Sequence, residues 1–403
     1  MSQVAQNVYK ALLQVLPSKS FINLHEPSFT GNEWSYVKEC LDTGWVSSVG
    51  KYVNRFENDL AEYTGVKHAV ATVNGTAALH ICLKLVDVKP NDEVLLPAIT
   101  FIATANAICY CKAIPHFVDC AEDTLGLCPR KLEKYLNEVT EIQSGQCINQ
   151  GTNRRIKAVV PMHTFGHPVD LDPLAEVCEK YHLDLIEDAA ESLGSFYKGR
   201  HTGTWGKVSA LSFNGNKIIT TGGGGAILTD DKHLAKRAKH ITTNAKIPHQ
   251  WEYVYDQIGY NYRLPNINAA LGCAQLEQLP GFLKRKKDIH RRYVEEVGMI
   301  EGLTIADVPR YANNNHWMNM LQIDSESYGE NMESLMQRLE KNSIQARPVW
   351  GLNHLQKPYM NCQNYRIKRA EELVSNSLSL PSSTNISKED FNNIIEILTN
   401  NVV

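Results

Sequence analysis

A chain of 403 residues exceeds what one hydrophobic core usually supports, so its length predicts two domains. Its hydrophobic share of 43% and charged share of 21% speak against disorder, and a formal net charge of −3 offers no long-range field to gather nucleic acid or an anionic membrane. Ten cysteines without a C-x-x-C pair argue for reduced thiols rather than a disulfide framework or a zinc site, so no metal is expected. The opening MSQVAQNVYKALLQVLP has no secretory apolar core or cleavage signal, and no apolar run is long enough to span a bilayer; the expectation is a cytoplasmic protein.

In chain order, short β-rich runs alternate with helical patterns: HAVATV then TAALHICLKLV, DEVLLP then ATANAICY, HFVDC then PRKLEKYLNEV, IKAVVPM then DLDPLAEVCEKY, and LDLIED. KVSALSF and GGAILT extend the series. This alternation predicts an α/β domain with a mostly parallel seven-stranded sheet covered by helices on both faces. The polar segment from Glu141 to Arg155 reads as an exposed loop or insertion.

After Gln278 the texture changes, with Pro280 and Gly281 punctuating a long charged helix whose basic run, Lys284 to Arg292, reads as a solvated face. HWMNMLQID reads as a half-buried strand, ENMESLMQRLEKN as an amphipathic helix and SKEDFNNIIEIL as a capped terminal helix. The expected division is 1–280, an N-terminal arm with a large domain, and 281–403, a linker helix with a smaller α+β domain.

In an open parallel sheet, ligands gather beyond the C-terminal strand ends. Asn74, Asp119, His163 and Asp188 fall at such ends and are expected to converge on one rim. Asn74, Gly75 and Thr76 join a strand to a helix, where free backbone N–H groups suit a phosphate; an ordinary turn reads the same way. Phe101 offers a ring to stack on a planar group, or a core side chain. Ser212 offers a hydroxyl. Asp188 and Lys217 supply an acid and an amine, the pair that pyridoxal phosphate chemistry requires. The glycines from Gly222 to Gly225 form a turn or let the backbone carry the lysine into a crowded pocket.

These segments, together with GNEWSYVKECLDTGWVSSVGKYVNRFENDLAEYTG and GYNYRLPNINAALG, resemble the DegT/DnrJ/EryC1/StrS sugar aminotransferases, fold-type I pyridoxal-phosphate enzymes, over nearly the whole chain. The resemblance implies Lys217 as the Schiff-base lysine, Asp188 as partner of the pyridine nitrogen, Phe101 stacking on the ring, and phosphate contacts from Gly75, Thr76 and Ser212. It assigns Asn261 to the phosphate held by a neighbouring subunit, and so implies a homodimer with shared sites. Many members carry Gln or His where this chain has Glu191, beside the cofactor's phenolic oxygen.

The implied reaction transfers an amino group from L-glutamate to a nucleotide-linked keto sugar in two half-reactions. Within the family, GWVSSVG, the polar loop before Arg155 and ARPVWGLNHLQKPY look most like 4-aminotransferases acting on UDP-linked 2-acetamido-4-keto-6-deoxy sugars, of legionaminic-acid or bacillosamine-type pathways. Trp45, His163, Arg347 and His354 are candidate substrate contacts, and each also has an ordinary structural reading. The alternatives are a sugar dehydratase of the same family, which would replace Lys217 with histidine, and an inactive sensor or scaffold, which would have a damaged cofactor set.

Overall fold

The computed structural model describes residues 21–400; the segment MSQVAQNVYKALLQVLP lies outside the described residues. The main sheet is built from β1 (His68–Thr72), β2 (Glu93–Pro97), β3 (Ile114–Val118), β4 (Arg154–Val159), β5 (Asp184–Asp188), β6 (Val208–Ser212) and β7 (Gly225–Thr229). Their spatial order is β1-β7-β6-β5-β4-β2-β3. All neighbours are parallel except β7, which is antiparallel to both β1 and β6. Every residue of β2 and β7 is buried, and strands covered on both faces read as continuous apolar runs for that reason. A short strand, Asn364–Tyr365, returns late in the chain to pair in parallel with β3.

The segment expected as an exposed loop is instead a β-hairpin. Thr140–Gln143 pairs antiparallel with Gln146–Asn149, which pairs in turn with the start of β4. Ser144 and Gly145 both take positive φ, at 49° and 74°, the two-residue turn that matches strand twist. Its outer strand is exposed along most of its length, so the sequence carries no apolar alternation to reveal it.

A second, antiparallel sheet orders Leu303–Ile305, Asn319–Ile323, Ser377–Leu380 and Arg347–Pro348. The strand expected from HWMNMLQID starts only at Asn319. Its helices include Met332–Lys341 and Lys388–Thr399, the latter capped by Ser387 Oγ, which accepts from the Asp390 N–H at 2.9 Å.

Three helices bear on the site: α1 (Gly75–Leu85), α2 (Ile102–Tyr110) and α3 (Asn266–Val297). Helix α3 runs 32 residues with Pro280 inside it. Leu276, Leu279 and Phe282 pack in the core of the main sheet, whereas Ile289, Tyr293 and Val297 pack in the core of the second sheet. The basic run on this helix is not wholly solvated. Lys286 is fully buried, and its Nζ donates to the backbone oxygens of Trp317 and Ser382; His290 is buried as well. No described helix is long and apolar enough to cross a membrane.

Candidate active site

The phosphate-sized end of the site is made by the close approach of two turns. Asn74 caps α1 by accepting from the Ala77 N–H at 2.7 Å, which leaves Gly75 and Thr76 in the first turn with unpaired N–H groups near Ser212, the last residue of β6. A Cβ on Gly75 would stand 2.8 Å from the Ser212 Cβ, and one on Gly225 would stand 2.6 Å from the Asn74 carbonyl. Both distances are shorter than real Cβ atoms tolerate, so the glycines let helix start and strand ends close on one another. In the glycine run, Gly225 thus shapes the phosphate end, and Gly222, at φ 78°, makes the left-handed turn.

Asp188 ends β5 with its carboxylate almost wholly buried. Its Oδ2 accepts from Thr104 Oγ1 at 2.7 Å and its Oδ1 from the Ala190 N–H at 3.2 Å. Burial raises its pKa, with the Thr104 and Ala190 bonds opposing that effect. Among the described residues no cation lies within ion-pair distance of it, so an acid in want of a positive partner faces the cleft.

Lys217 Nζ lies 2.9 Å from Glu191 Oε1 and 4.0 Å from the centroid of the Trp317 ring. Glu191 Oε2 accepts from the Phe165 N–H at 3.0 Å. Burial raises the Glu191 pKa, and the ammonium of Lys217 opposes the rise. Trp317 is itself fixed, its Nε1 donating to the Asn216 carbonyl at 2.7 Å.

These groups share one cleft of about 320 Å³, into which Gly75, Thr76, Phe101, Asp188, Glu191, Ser212 and Lys217 all face. Phe101, at the start of α2, is half exposed and stands edge-on to Trp350 with ring centroids 6.2 Å apart. The sequence reading missed Asn214, Asn216, Trp317 and Trp350. The two asparagines sit in the SFNGNK segment beside the residues it did single out, so a count of polar side chains flanking Lys217 would have found them. The tryptophans lie far along the chain from Lys217, and no local pattern places them here.

The other residues expected at the site lie outside this cleft. His163 does not line the cleft: it is fully buried, with Nε2 3.1 Å from Glu187 Oε1 and Nδ1 accepting from the Val169 N–H at 3.2 Å. That acceptor role puts the ring proton on Nε2, so His163 serves the fold beneath the rim. Asp119 is spent on Lys131 and on the N–H groups of Arg369 and Ala370 at the start of another helix. Trp45 is exposed beside a different groove, with Glu39, Tyr52 and Asn266. Arg347 is exposed on the second sheet, and His354 is buried near the ring of Phe117; neither lines the cleft. Asn261 is exposed and also lies outside the cleft of its own chain.

The DegT/DnrJ/EryC1/StrS aminotransferase family matches residues 27–399. The chain belongs to this family. It is similar to EpsN of Bacillus subtilis (strain 168), whose name places it among pyridoxal phosphate-dependent aminotransferases, at 37% identity over 94% of this chain and 95% of that one. It is equally similar, at 37% identity over 92% and 95% of the two chains, to the GDP-perosamine synthase of Escherichia coli O157:H7. The solved structure of the aminotransferase TlmJ from Streptoalloteichus hindustanus superposes with a TM-score of 0.84 at 28% identity, covering 94% of this chain and 98% of that one.

This member of the family is therefore a pyridoxal-phosphate enzyme of the sugar aminotransferase class, with the α/β fold of its relatives. Its cleft fits the cofactor: a cradle of N–H groups kept open by Gly75 and Gly225, a buried acid with no cation at ion-pair distance among the described residues, a ring-sized aromatic and a partly buried amine.

Proposed function

We propose that this enzyme moves an amino group from L-glutamate to the keto carbon of a nucleotide-linked keto-deoxy sugar, with Lys217 as its catalytic residue. The observation that carries this reading is that Lys217 and Asp188 face one cleft together with the Gly75–Thr76 turn and Ser212. Bound pyridoxal phosphate supplies an aldehyde that bonds to amines and a protonated ring that accepts electrons. The first-turn N–H groups and the Ser212 hydroxyl would hold its phosphate, Phe101 would stack on the ring, and Asp188 would take the ring N–H in a charge-assisted bond. Lys217 Nζ, once free, would take a proton from the donor's α-carbon as base and deliver it to the cofactor's carbon as acid. The Trp317 ring lies against that nitrogen, with its centroid 4.0 Å away.

Glutamate gives up its amino group in the first half-reaction, and the keto sugar receives it in the second. Asn261 from a second copy of the chain completes the phosphate site. That arrangement is supported by its exposure, and by the exposed Trp251, Tyr253, Tyr255 and Ile258 in the segment just before it. The division into 1–280 and 281–403 is supported by the core that the second sheet builds almost wholly from residues after 288, although Trp317, Met320 and Val349 pack in the core of the main sheet.

For the sugar, the first candidate is UDP-2-acetamido-4-keto-2,4,6-trideoxyhexose, aminated at C4, in a legionaminic-acid or bacillosamine-type pathway. The GDP-perosamine synthases among the relatives favour a GDP-linked keto sugar as the second. Purified protein loses its visible cofactor band on addition of glutamate and regains it with the right keto sugar, so a panel of UDP- and GDP-linked keto sugars separates the two. A folded sample with Lys217 intact that binds no cofactor would overturn the reading.

A further inference from the structure

Glu191 is held in place from three directions. Asn315 Nδ2 donates to its backbone carbonyl at 2.8 Å and to that of Leu193 at 3.0 Å. Its Oε2 accepts from the Phe165 N–H, and Phe165 sits at φ 52°, ψ 26°, a left-handed conformation that costs a bulky residue energy and is kept only where surrounding contacts enforce it. Among the described residues its Oε1 meets only Lys217. The carboxylate therefore cannot swing to water if the lysine leaves it.

We propose that Glu191 is the proton partner of Lys217: a carboxylate while the lysine is a free ammonium, and a neutral acid once the lysine nitrogen is bonded to the cofactor. As that bond forms, the ammonium nitrogen gains a double bond to the aldehyde carbon. The aldehyde oxygen leaves as water with two of its three protons. The one proton left would be shared with the cofactor's own phenolic oxygen, so Glu191 would lose its donor and gain an anionic neighbour. Asp188 lies on the same side and its charge also raises the Glu191 pKa, and the pKa of His25, a basic group near Lys217, is lowered by burial and by the charges of Lys286 and Lys217. Glu191 then takes one proton from solvent and donates it in a hydrogen bond to the phenolic oxygen. A glutamine in this place would offer that donor permanently; the glutamate offers it only in step with the bonding of Lys217.

The inference rests on the role given to Lys217 and is independent of which sugar is used. It is tested by adding pyridoxal phosphate to cofactor-free enzyme in weak buffer and counting protons. Wild type is expected to take up about one proton per site more than E191Q, and its cofactor affinity to fall about tenfold more steeply per pH unit across the neutral range. Equal uptake with parallel pH profiles would overturn the proposal. Infrared difference spectra of wild type give a second reading should E191Q not fold. A protonated carboxyl band gained on cofactor binding supports it, no gain overturns it, and isotope labelling of glutamate carboxyls alone separates that band from Asp188. Borohydride reduction keeps the two readings apart. If it fails to fix the cofactor to Lys217, the lysine's role falls; if the cofactor is fixed but the proton count matches E191Q, only the present inference falls.

Discussion

The hydroxyl of Thr104 donates to the buried carboxylate of Asp188 over 2.7 Å, and Thr104 Oγ1 also lies 2.9 Å from the hydroxyl of Thr100. Because Thr104 is on α2, whose first turn follows Phe101, the acid and the stacking ring are set by one helix. Replacing Thr104 with valine keeps the shape and removes the donor. A bond to a charged group contributes about 1.5–3 kcal/mol, so T104V should weaken cofactor binding about tenfold or more, measured by equilibrium titration, with little change in fold by circular dichroism.

Asp188 also gives the cofactor-free enzyme a distinct pH response. Burial raises its folded pKa, so the stability tied to its protonated form is present below the ordinary carboxylate pKa and is lost as pH rises through the folded value. D188N should therefore melt at higher temperature than wild type at neutral pH when both lack cofactor, with the gap closing in acid. With cofactor the order should reverse, since only the aspartate pairs with the ring N–H. Thermal scans across pH, with and without pyridoxal phosphate, check both signs.

Gly225 and Asn74 are far apart in sequence, yet the space between them admits no Cβ. G225A should push the end of β7 off the start of α1 and cost about 1–3 kcal/mol, as overpacking does. Because the displaced turn is the phosphate cradle, cofactor affinity should fall by more than the loss of stability alone explains. Comparing denaturant midpoints with cofactor dissociation constants separates the two effects.

A shared site predicts complementation. K217A and an Asn261→Asp chain should each be nearly inactive, and exchanging their subunits should restore part of the native rate, because one site of each mixed dimer is then wholly native. No recovery after proven subunit exchange, followed by labelled-chain mass analysis, would count against Asn261 acting across the interface.

The strands and the acid-and-amine pair were legible because they depend on local pattern: seven apolar runs broken by turn residues, and an acid and an amine at strand ends. What was hidden depends on where a side chain points after the chain has folded. His163 follows a strand end as Asp188 does, but its ring turns to Glu187 inside the molecule. Trp317 lies in a segment that reads as part of a strand, yet it is carried to Lys217 by packing between distant parts of the chain. The hairpin before β4 escaped notice because its outer strand buries little, so the pairing left no apolar alternation, only the Ser144–Gly145 turn signal. Lys286 was hidden in a run of charges in which Lys284, Lys287 and Arg291 face outward, since periodicity alone does not mark a lysine satisfied by carbonyl oxygens.

Helix α3 makes the two units inseparable as fragments. A cut after Pro280 would leave Leu276 and Leu279 of the first core on one piece and carry Phe282, of that same core, away with the residues that complete the second. Leu276 and Leu279 would remain on a frayed end, and Ile289, Tyr293 and Val297 would begin the other piece on a helix stripped of its first turns. Neither product would inherit a finished apolar interior. Anyone dissecting this enzyme by proteolysis or by split expression should expect the halves to aggregate apart and to regain solubility only when produced together.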